Sequence, residues 1–211
     1  MTSYTKFAIK GVSTVFVFSI IAAFLGYLVR LILAKNLAVE EFGLFYAVFA
    51  FLSMMSIFKS LGFDKAVIKF IPEFRHKNRE DLIKSSIIYI AAIQLITNSI
   101  IIIAVYLLSD FLAVHFFNNS QAGIVLRLMA IALFIDSFVV LLKYVFQGFG
   151  KIIYYSGVDF IRMLLIVTIV FIGFKAGYGI GSPIMAYIIT PIVLFVIFSL
   201  VLFKTTFPEF F

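Results

Sequence analysis

The sequence contains no cysteine and has few charged residues. Without cysteine there can be no disulfide and no metal site built on thiolates. Charged residues make up only 13% of the 211 positions, against 64% for hydrophobic residues, and the mean hydropathy is +1.19. Soluble domains are about half apolar and about a quarter charged. The composition therefore excludes an ordinary water-soluble domain.

The sequence also lacks the common motifs of catalysis. There is no His–Glu–x–x–His zinc motif, no Walker loop and no dinucleotide fingerprint. The run "GYGIG" at 177–181 follows no predicted strand and opens no βαβ unit. His76 and His115 are predicted on opposite sides of the membrane, so they cannot share a metal ion. We therefore expect no enzymatic activity, no cofactor and no resident metal.

Apolar runs of about twenty residues recur along the whole sequence. Such a run is long enough to cross the hydrocarbon layer of about 30 Å as a helix. The runs lack the alternation of polar and apolar residues that marks the strands of a membrane barrel. The sequence therefore predicts an all-α polytopic membrane protein, a bundle of six transmembrane helices, with spans near 11–33, 44–62, 85–108, 123–146, 156–174 and 182–203.

The basic residues lie mostly between the predicted spans, which predicts the orientation of the chain. If the N-terminus is cytoplasmic, the external segments hold only Lys35 and Lys175. Lysine and arginine accumulate in cytoplasmic loops, so we expect both termini in the cytoplasm and attribute the net charge of +7 to topology, not to nucleic-acid binding. Eleven basic residues then lie inside: Lys6, Lys10, Lys65, Lys69, Arg75, Lys77, Arg79, Lys84, Lys143, Lys151 and Lys204.

Two of the predicted connections carry most of the charge. The stretch "AKNLAVEEFGLFYAVF", residues 34–49, is predicted to hold the external turn after the first span, and a polar turn is a sufficient account of Glu40 and Glu41. The connection from Phe63 to Lys84 is the longest and is predicted on the cytoplasmic side.

Several ionisable residues fall inside the predicted spans, where each costs roughly 2.5–3.5 kcal/mol at the bilayer centre. Asp136 is near the middle of the fourth span, and Lys143 and Gln147 lie on the same helical face. Lys59 follows two serines at three-residue spacing in the second span. For Asp136 we favour a cavity or a buried partner over a purely structural role.

The remaining polar groups in the spans have simpler explanations. Arg30 and Arg127 lie near the external ends of their spans, where long side chains can reach the headgroups. Asp159 and Arg162 are three residues apart and can form a structural ion pair or contribute to a ligand site. The third span carries three polar residues on one face, which we expect to form hydrogen bonds between helices: Gln94, Thr97 and Asn98.

In or near the spans the cations outnumber the carboxylates. If these side chains point into one cavity, the surplus suits an anionic substrate, with phosphate the obvious candidate. The candidate residues for the substrate cavity are Arg30, Lys59, Arg127, Asp136, Lys143, Gln147 and Arg162.

Three stretches together resemble polysaccharide and oligosaccharide flippases. "AKNLAVEEFGLFYAVFAF" resembles the first external loop and second span of that family. "LGFDKAVIKFIPEF" resembles the end of that span, with Gly62, Ala66 and Glu73 at the family's positions and Lys69 in place of the usual arginine. "FQGFGKIIYYSGVDFIR" resembles the loop before the fifth span, with Arg162 at the family's basic position and aspartate where glutamate is common.

The resemblance implies an O-antigen flippase type of the multidrug/oligosaccharidyl-lipid/polysaccharide exporter superfamily. Such proteins move lipid-linked oligosaccharides, which carry a pyrophosphate on a polyprenyl chain, across the cytoplasmic membrane by alternating access. They consist of two six-helix lobes, and this sequence corresponds to the N-terminal lobe alone. The resemblance thus implies either a half-transporter that pairs with a second lobe, from another copy or another chain, or a truncated form. The alternatives are a cation-coupled multidrug exporter working through Asp136 and a non-transporting membrane scaffold.

Overall fold

The computed structural model describes residues 3–59 and 62–206, and all the regular secondary structure in these ranges is helical. A short 3-10 turn, Ser56–Phe58, follows the second helix. The seven α-helices are α1 (Ser3–Asn36), α2 (Val39–Met55), α3 (Phe63–His76), α4 (Glu80–His115), α5 (Ala122–Gly148), α6 (Ile152–Lys175) and α7 (Gly181–Thr205).

Six of these helices are long and apolar enough to cross a membrane: α1, α2 with its 3-10 turn, α4, α5, α6 and α7. The predicted fold class, an all-α polytopic membrane protein, is confirmed. The transmembrane helices extend beyond the predicted spans, most of all α4, which begins at Glu80 and ends at His115. The second span is the exception at its end, because the helix stops at Met55 and its 3-10 turn at Phe58, before the predicted limit at residue 62. Residues 1, 2, 60, 61 and 207–211 lie outside the described residues, and with them the predicted cytoplasmic C-terminus.

The fifth helix forms the centre of the bundle. It packs against α2, α3, α4, α6 and α7, while α1 packs mainly on α6. Buried side chains lie along the whole of α5, including Leu126, Met129, Val139 and Phe146. A helix that is apolar on all sides is typical of such a central position. Ser137 in the middle of α5 is fully buried between neighbouring helices.

The first connection is shorter than the sequence predicts. Helix α1 ends at Asn36 and α2 already begins at Val39, so Glu40 and Glu41 lie in the first turn of α2. The Ala38 N–H donates a hydrogen bond of 3.3 Å to Oε2 of Glu41. Carboxylates are favourable at this end of a helix because they face its unpaired N–H groups. The two glutamates therefore begin α2 and do not form a loop.

The predicted connection between the second and third spans, residues 63 to 84, contains all of α3 and the start of α4. Val67 and Ile71 on one face of α3 are buried. They pack where α5 ends: a Cβ built on Gly148 would lie 2.9 Å from Cδ1 of Ile71. With 14 residues, α3 is too short to span a bilayer. It is an amphipathic helix lying against the transmembrane bundle.

Candidate functional site

The candidate site begins where α2 breaks. The helix ends at Met55, continues as the 3-10 turn, and the chain starts α3 after Gly62, whose φ of +82° suits glycine. A helix end leaves carbonyl groups without intrahelical partners. Here the Lys59 carbonyl accepts a hydrogen bond of 2.7 Å from Oγ1 of Thr97 and one of 3.4 Å from Nδ2 of Asn98. Helix α4 thus fixes the main chain at Lys59.

Asp136 forms the centre of the site, halfway along α5. Its Oδ1 lies 2.8 Å from Nη1 of Arg162 on α6, in an ion pair, and its Oδ2 lies 3.8 Å from Nζ of Lys59. All three side chains are largely buried, with 15–19% of their surface exposed. Two cations from different helices therefore share one carboxylate, which leaves one positive charge in excess when all three groups are ionised.

These three residues line a cavity of about 240 Å³ between α2, α5, α6 and α7. Ser53 and Ser56, predicted to share a polar stripe with Lys59, line it as well. At about 30 Å³ per water molecule, the volume corresponds to roughly eight waters. The cavity in this conformation has room for a phosphate-sized group but not for an oligosaccharide.

Arg162 has hydrogen-bonding capacity that the described protein does not use. Its Nε and Nη2 atoms are buried and bond no acceptor among residues 3–59 and 62–206. Buried polar groups are nearly always hydrogen-bonded, and the Nε–Nη2 edge of a guanidinium matches two oxygens of a carboxylate or phosphate. The site thus holds an uncommitted pair of donors beside an excess positive charge.

Aromatic rings form part of the cavity wall. Tyr187 of α7 lies 5.2 Å from the ring of Phe49 and 5.8 Å from that of Phe45, measured between centroids. Arg30 is absent from the wall of this cavity, and its guanidinium lies 5.5 Å from the centre of the Tyr46 ring. Arg30 therefore contacts the ring of Tyr46 and does not line the cavity.

Arg127 and Lys143 lie elsewhere and have their own carboxylates. The Arg127 guanidinium donates hydrogen bonds of 2.6 Å to both Asp110 and Ser109 near the far end of α4. Lys143 pairs with Asp159 of α6. Arg127 therefore does not face the cavity around Asp136, and Asp136 and Lys143, predicted on one helical face, belong to two different ion pairs.

Asp159 and Arg162, for which a structural ion pair and a ligand site were both open, do not pair with each other, because each residue binds a partner on α5. Gln147 lines a different cavity, between α1, α3 and the turn from α5 to α6. Asn98 makes the expected contact between helices, donating a hydrogen bond of 3.3 Å to Oγ of Ser137. The Gln94 carboxamide is fully buried, and none of its polar atoms has a partner among the described residues.

The described part of the chain contains no group of three or more histidine, aspartate or glutamate side chains that could hold a metal ion. The candidate site is thus an ion-pair cluster of three residues, Lys59, Asp136 and Arg162. Serines and aromatic rings surround it.

The model of the polysaccharide biosynthesis protein family matches residues 8–211 of this chain. The chain belongs to that family. A curated relative, the uncharacterized membrane protein MJ1068 of Methanocaldococcus jannaschii, is 31% identical over 219 residues. The match covers 99% of this chain and 43% of that protein, so the chain spans less than half the length of its relative. No solved structure matches the chain.

The family match confirms the predicted resemblance to polysaccharide flippase-type proteins and agrees with the fold. The protein is a multi-pass membrane protein of a family named for polysaccharide biosynthesis.

Proposed function

We propose that this protein moves a lipid-linked oligosaccharide across the cytoplasmic membrane by alternating access, and that Arg162 and Lys59 bind the pyrophosphate. The observation that carries the proposal is the cation pair around Asp136 in a cavity halfway along α5. A family named for polysaccharide biosynthesis supplies the context.

The charges favour an anionic group. Two cations and one carboxylate leave a positive excess, which is costly within a membrane unless a further anion approaches. The free Nε–Nη2 edge of Arg162 offers two parallel N–H donors, the arrangement that binds phosphate most strongly. A phosphate group would therefore satisfy both the charge and the unused hydrogen bonds.

The size of the cavity fits one state of a transport cycle. Since the Arg162 edge is closed to solvent, a phosphate can reach it only after neighbouring side chains or helices move. An alternating-access carrier makes such movements in every cycle. We expect the oligosaccharide to occupy a larger space that opens beside this cavity.

We further propose that a second six-helix lobe completes this space, provided by another copy of the chain or by a separate chain. The relative is more than twice as long as the matched region, which leaves room for such a lobe in that protein. Two lobes that each cross the membrane six times can be related by an axis along the membrane normal.

Coupling to a cation through Asp136, as in a multidrug exporter, is less well supported. A carboxylate that binds a proton or Na⁺ needs free oxygen lone pairs and no strong cationic neighbour. Both oxygens of Asp136 already face a cation. In this proposal Asp136 is therefore a counter-ion for the phosphate-binding residues.

Reconstituted transport tests the proposal. The chain, alone and with a candidate second lobe, is placed in vesicles with a fluorescent polyprenyl-pyrophosphate sugar, and the fraction accessible to an external quencher is followed. Each charge-assisted bond contributes about 1.5–3 kcal/mol, so Arg162→Ala and Lys59→Ala should each slow transfer by about tenfold or more. Arg127→Gln is the matched control, because it removes a paired cation outside the cavity.

We expect the control variant to transfer at about the rate of the unmodified protein, because Arg127 does not line the cavity. Equal rates for Arg162→Ala, Lys59→Ala and Arg127→Gln would refute the assigned role of the cavity. The absence of any transfer, with or without a second lobe, would refute the flippase function itself.

A further inference from the structure

A second cavity, the largest described in the molecule, lies at the end of the bundle that carries α3. Its volume is about 1090 Å³. Its walls come from residues 11–19 of α1, residues 68–76 of α3 and residues 147–155 at the turn from α5 to α6. It shares no lining residue with the cavity around Asp136. We call this second cavity the α1–α3 groove.

The walls of the α1–α3 groove are mainly apolar. Val12 and Phe16 of α1 are 70% and 63% exposed, and Ile68, Pro72 and Ile152 face them. Exposed apolar surface of this kind is unfavourable in water, at about 25 cal/mol per Å², but matches hydrocarbon. The volume is at the upper end of the range for small-molecule sites, roughly 300–1,000 Å³. An inorganic ion is much too small to fill the groove.

Arg75 and His76, at the last turn of α3, add polar groups to the wall of the groove. The Arg75 guanidinium has no ion-pair or hydrogen-bond partner within residues 3–59 and 62–206. The nearby glutamate is committed to a different cation, since Nζ of Lys77 donates a hydrogen bond of 2.7 Å to Glu73 and this ammonium lowers the pKa of that carboxyl. Arg75 is thus an available cation beside an apolar channel.

An apolar channel with a cation at its wall fits an amphiphile with a negative headgroup. Arginine binds phosphate with two parallel hydrogen bonds, and basic residues at the membrane surface contribute about 1 kcal/mol each to the binding of anionic lipid. We propose that the α1–α3 groove binds an anionic phospholipid, with its phosphate on Arg75 and an acyl chain along Val12, Phe16 and Ile152. This site is separate from the proposed transport cavity and does not depend on the transport function.

The absence of tryptophan from the sequence makes the proposal directly testable. Phe16→Trp introduces a single tryptophan into the groove, and Phe24→Trp introduces one on the same helix outside the groove. Each protein is reconstituted in phosphatidylcholine with increasing fractions of phosphatidylglycerol that is brominated on its acyl chains, and the quenching of tryptophan fluorescence is measured. A second series uses brominated phosphatidylcholine in place of brominated phosphatidylglycerol. Comparing two lipids at one position removes the effect of probe depth.

At Phe16→Trp we expect brominated phosphatidylglycerol to reach half-maximal quenching at about a fivefold lower mole fraction than brominated phosphatidylcholine, the effect of one basic contact. At Phe24→Trp the two lipids should quench equally. Adding Arg75→Gln to Phe16→Trp should abolish the preference, and Arg75→Lys should retain part of it. Lys204→Gln is the matched control, because it removes an equal charge at the same end of the bundle from a lysine outside the groove wall.

Three results would overturn the proposal. Equal quenching by both lipids at Phe16→Trp would show that the groove does not select anionic lipid. Weak quenching by either lipid would show that protein covers the groove, from a second copy or a second lobe. Displacement of the brominated lipid by polyprenyl phosphate at a much lower mole fraction than by unlabelled phosphatidylglycerol would assign the groove to a lipid-linked substrate.

Discussion

Replacing Asp136 by asparagine provides the most informative test of the candidate site. The substitution keeps the size and shape of the side chain and removes only its charge. Arg162 at 2.8 Å and Lys59 at 3.8 Å then lose their shared counter-ion. The variant should therefore be less stable than the unmodified protein, and it should bind a soluble anion more tightly.

The distances give the size of the first effect. With an effective dielectric constant of about 20, Coulomb's law gives about 6 kcal/mol for the Arg162 contact and about 4 kcal/mol for the Lys59 contact. Part of this is offset because a buried carboxylate also loses its hydration, and breaking a buried pair typically costs about 3–5 kcal/mol. On the scale of soluble domains of this length, that is a fall of roughly 10 °C in melting temperature.

Inorganic pyrophosphate provides the second measurement. In the unmodified protein an incoming anion must compete with Asp136 for Arg162 and Lys59, whereas in Asp136→Asn both cations are free. We expect the affinity for pyrophosphate to rise by at least about tenfold, which corresponds to about 1.4 kcal/mol. The melting temperature of the purified protein in detergent is measured at increasing concentrations of pyrophosphate. The value without pyrophosphate gives the loss of stability, and its rise with concentration gives the affinity, because ligand binding raises the apparent stability.

Asp159→Asn is the matched control, since Asp159 pairs with Lys143 outside the cavity and is 45% exposed. Asp159→Asn should lower the stability by less than Asp136→Asn does, and the affinity for pyrophosphate should equal that of the unmodified protein. An Asp136→Asn protein that melts as the unmodified protein does would refute the assigned ion-pair geometry. A normal loss of stability with no gain in pyrophosphate binding would refute the anion site while leaving the ion pairs intact.

Two further predictions concern the packing that supports the site. Thr97→Val removes the hydrogen bond to the Lys59 carbonyl and should lower the free energy of unfolding by about 0.6–2 kcal/mol. Thr97→Ser keeps the hydroxyl group and should retain most of the stability of the unmodified protein. Equal melting temperatures of the two variants would contradict this contact. Gly148→Ala places a methyl group 2.9 Å from Ile71 and should weaken the packing of α3, which is measured as faster proteolysis between α2 and α4. Gly157→Ala is the control, because a methyl group there meets no neighbouring atom within 4 Å, and it should not change the cleavage rate. Equal cleavage rates for the two variants would contradict the packing of α3 on α5.

The transmembrane helices could be predicted from the sequence because their signal is local. A run of about twenty apolar residues has few alternatives to a membrane helix. The ends of the helices were less predictable, since α4 continues beyond the predicted limit at residue 108. This extension brings Asp110 into the helix as the partner of Arg127, so the excess of cations predicted from the spans was too large.

The choice of ion-pair partners was not predictable from the sequence. Asp159 and Arg162 are neighbours on one helix face, but each has a closer partner on α5. Which residues meet depends on the rotation and height of two packed helices, and the periodicity of a single helix contains no information on either. The amphipathic α3 has a detectable signal, with apolar residues at 67, 71 and 74, but its 14 residues are too few to span the bilayer, so a search for spans does not find it.

The break after α2 connects the two cavities that carry the proposals. Two groups of Lys59 are restrained: its carbonyl accepts a hydrogen bond from Thr97 of α4, and its ammonium group pairs with Asp136 of α5. Helix α3 follows after Gly62, packs on Gly148 and forms one wall of the α1–α3 groove. An anion that displaced Asp136 from Lys59 would release one of the two restraints on the chain just before α3. The hydrogen bonds from Thr97 and Asn98 to the Lys59 carbonyl would then remain, and the Thr97 bond is the shorter of the two. Thr97→Val should therefore increase any effect of pyrophosphate on the proteolysis of α3.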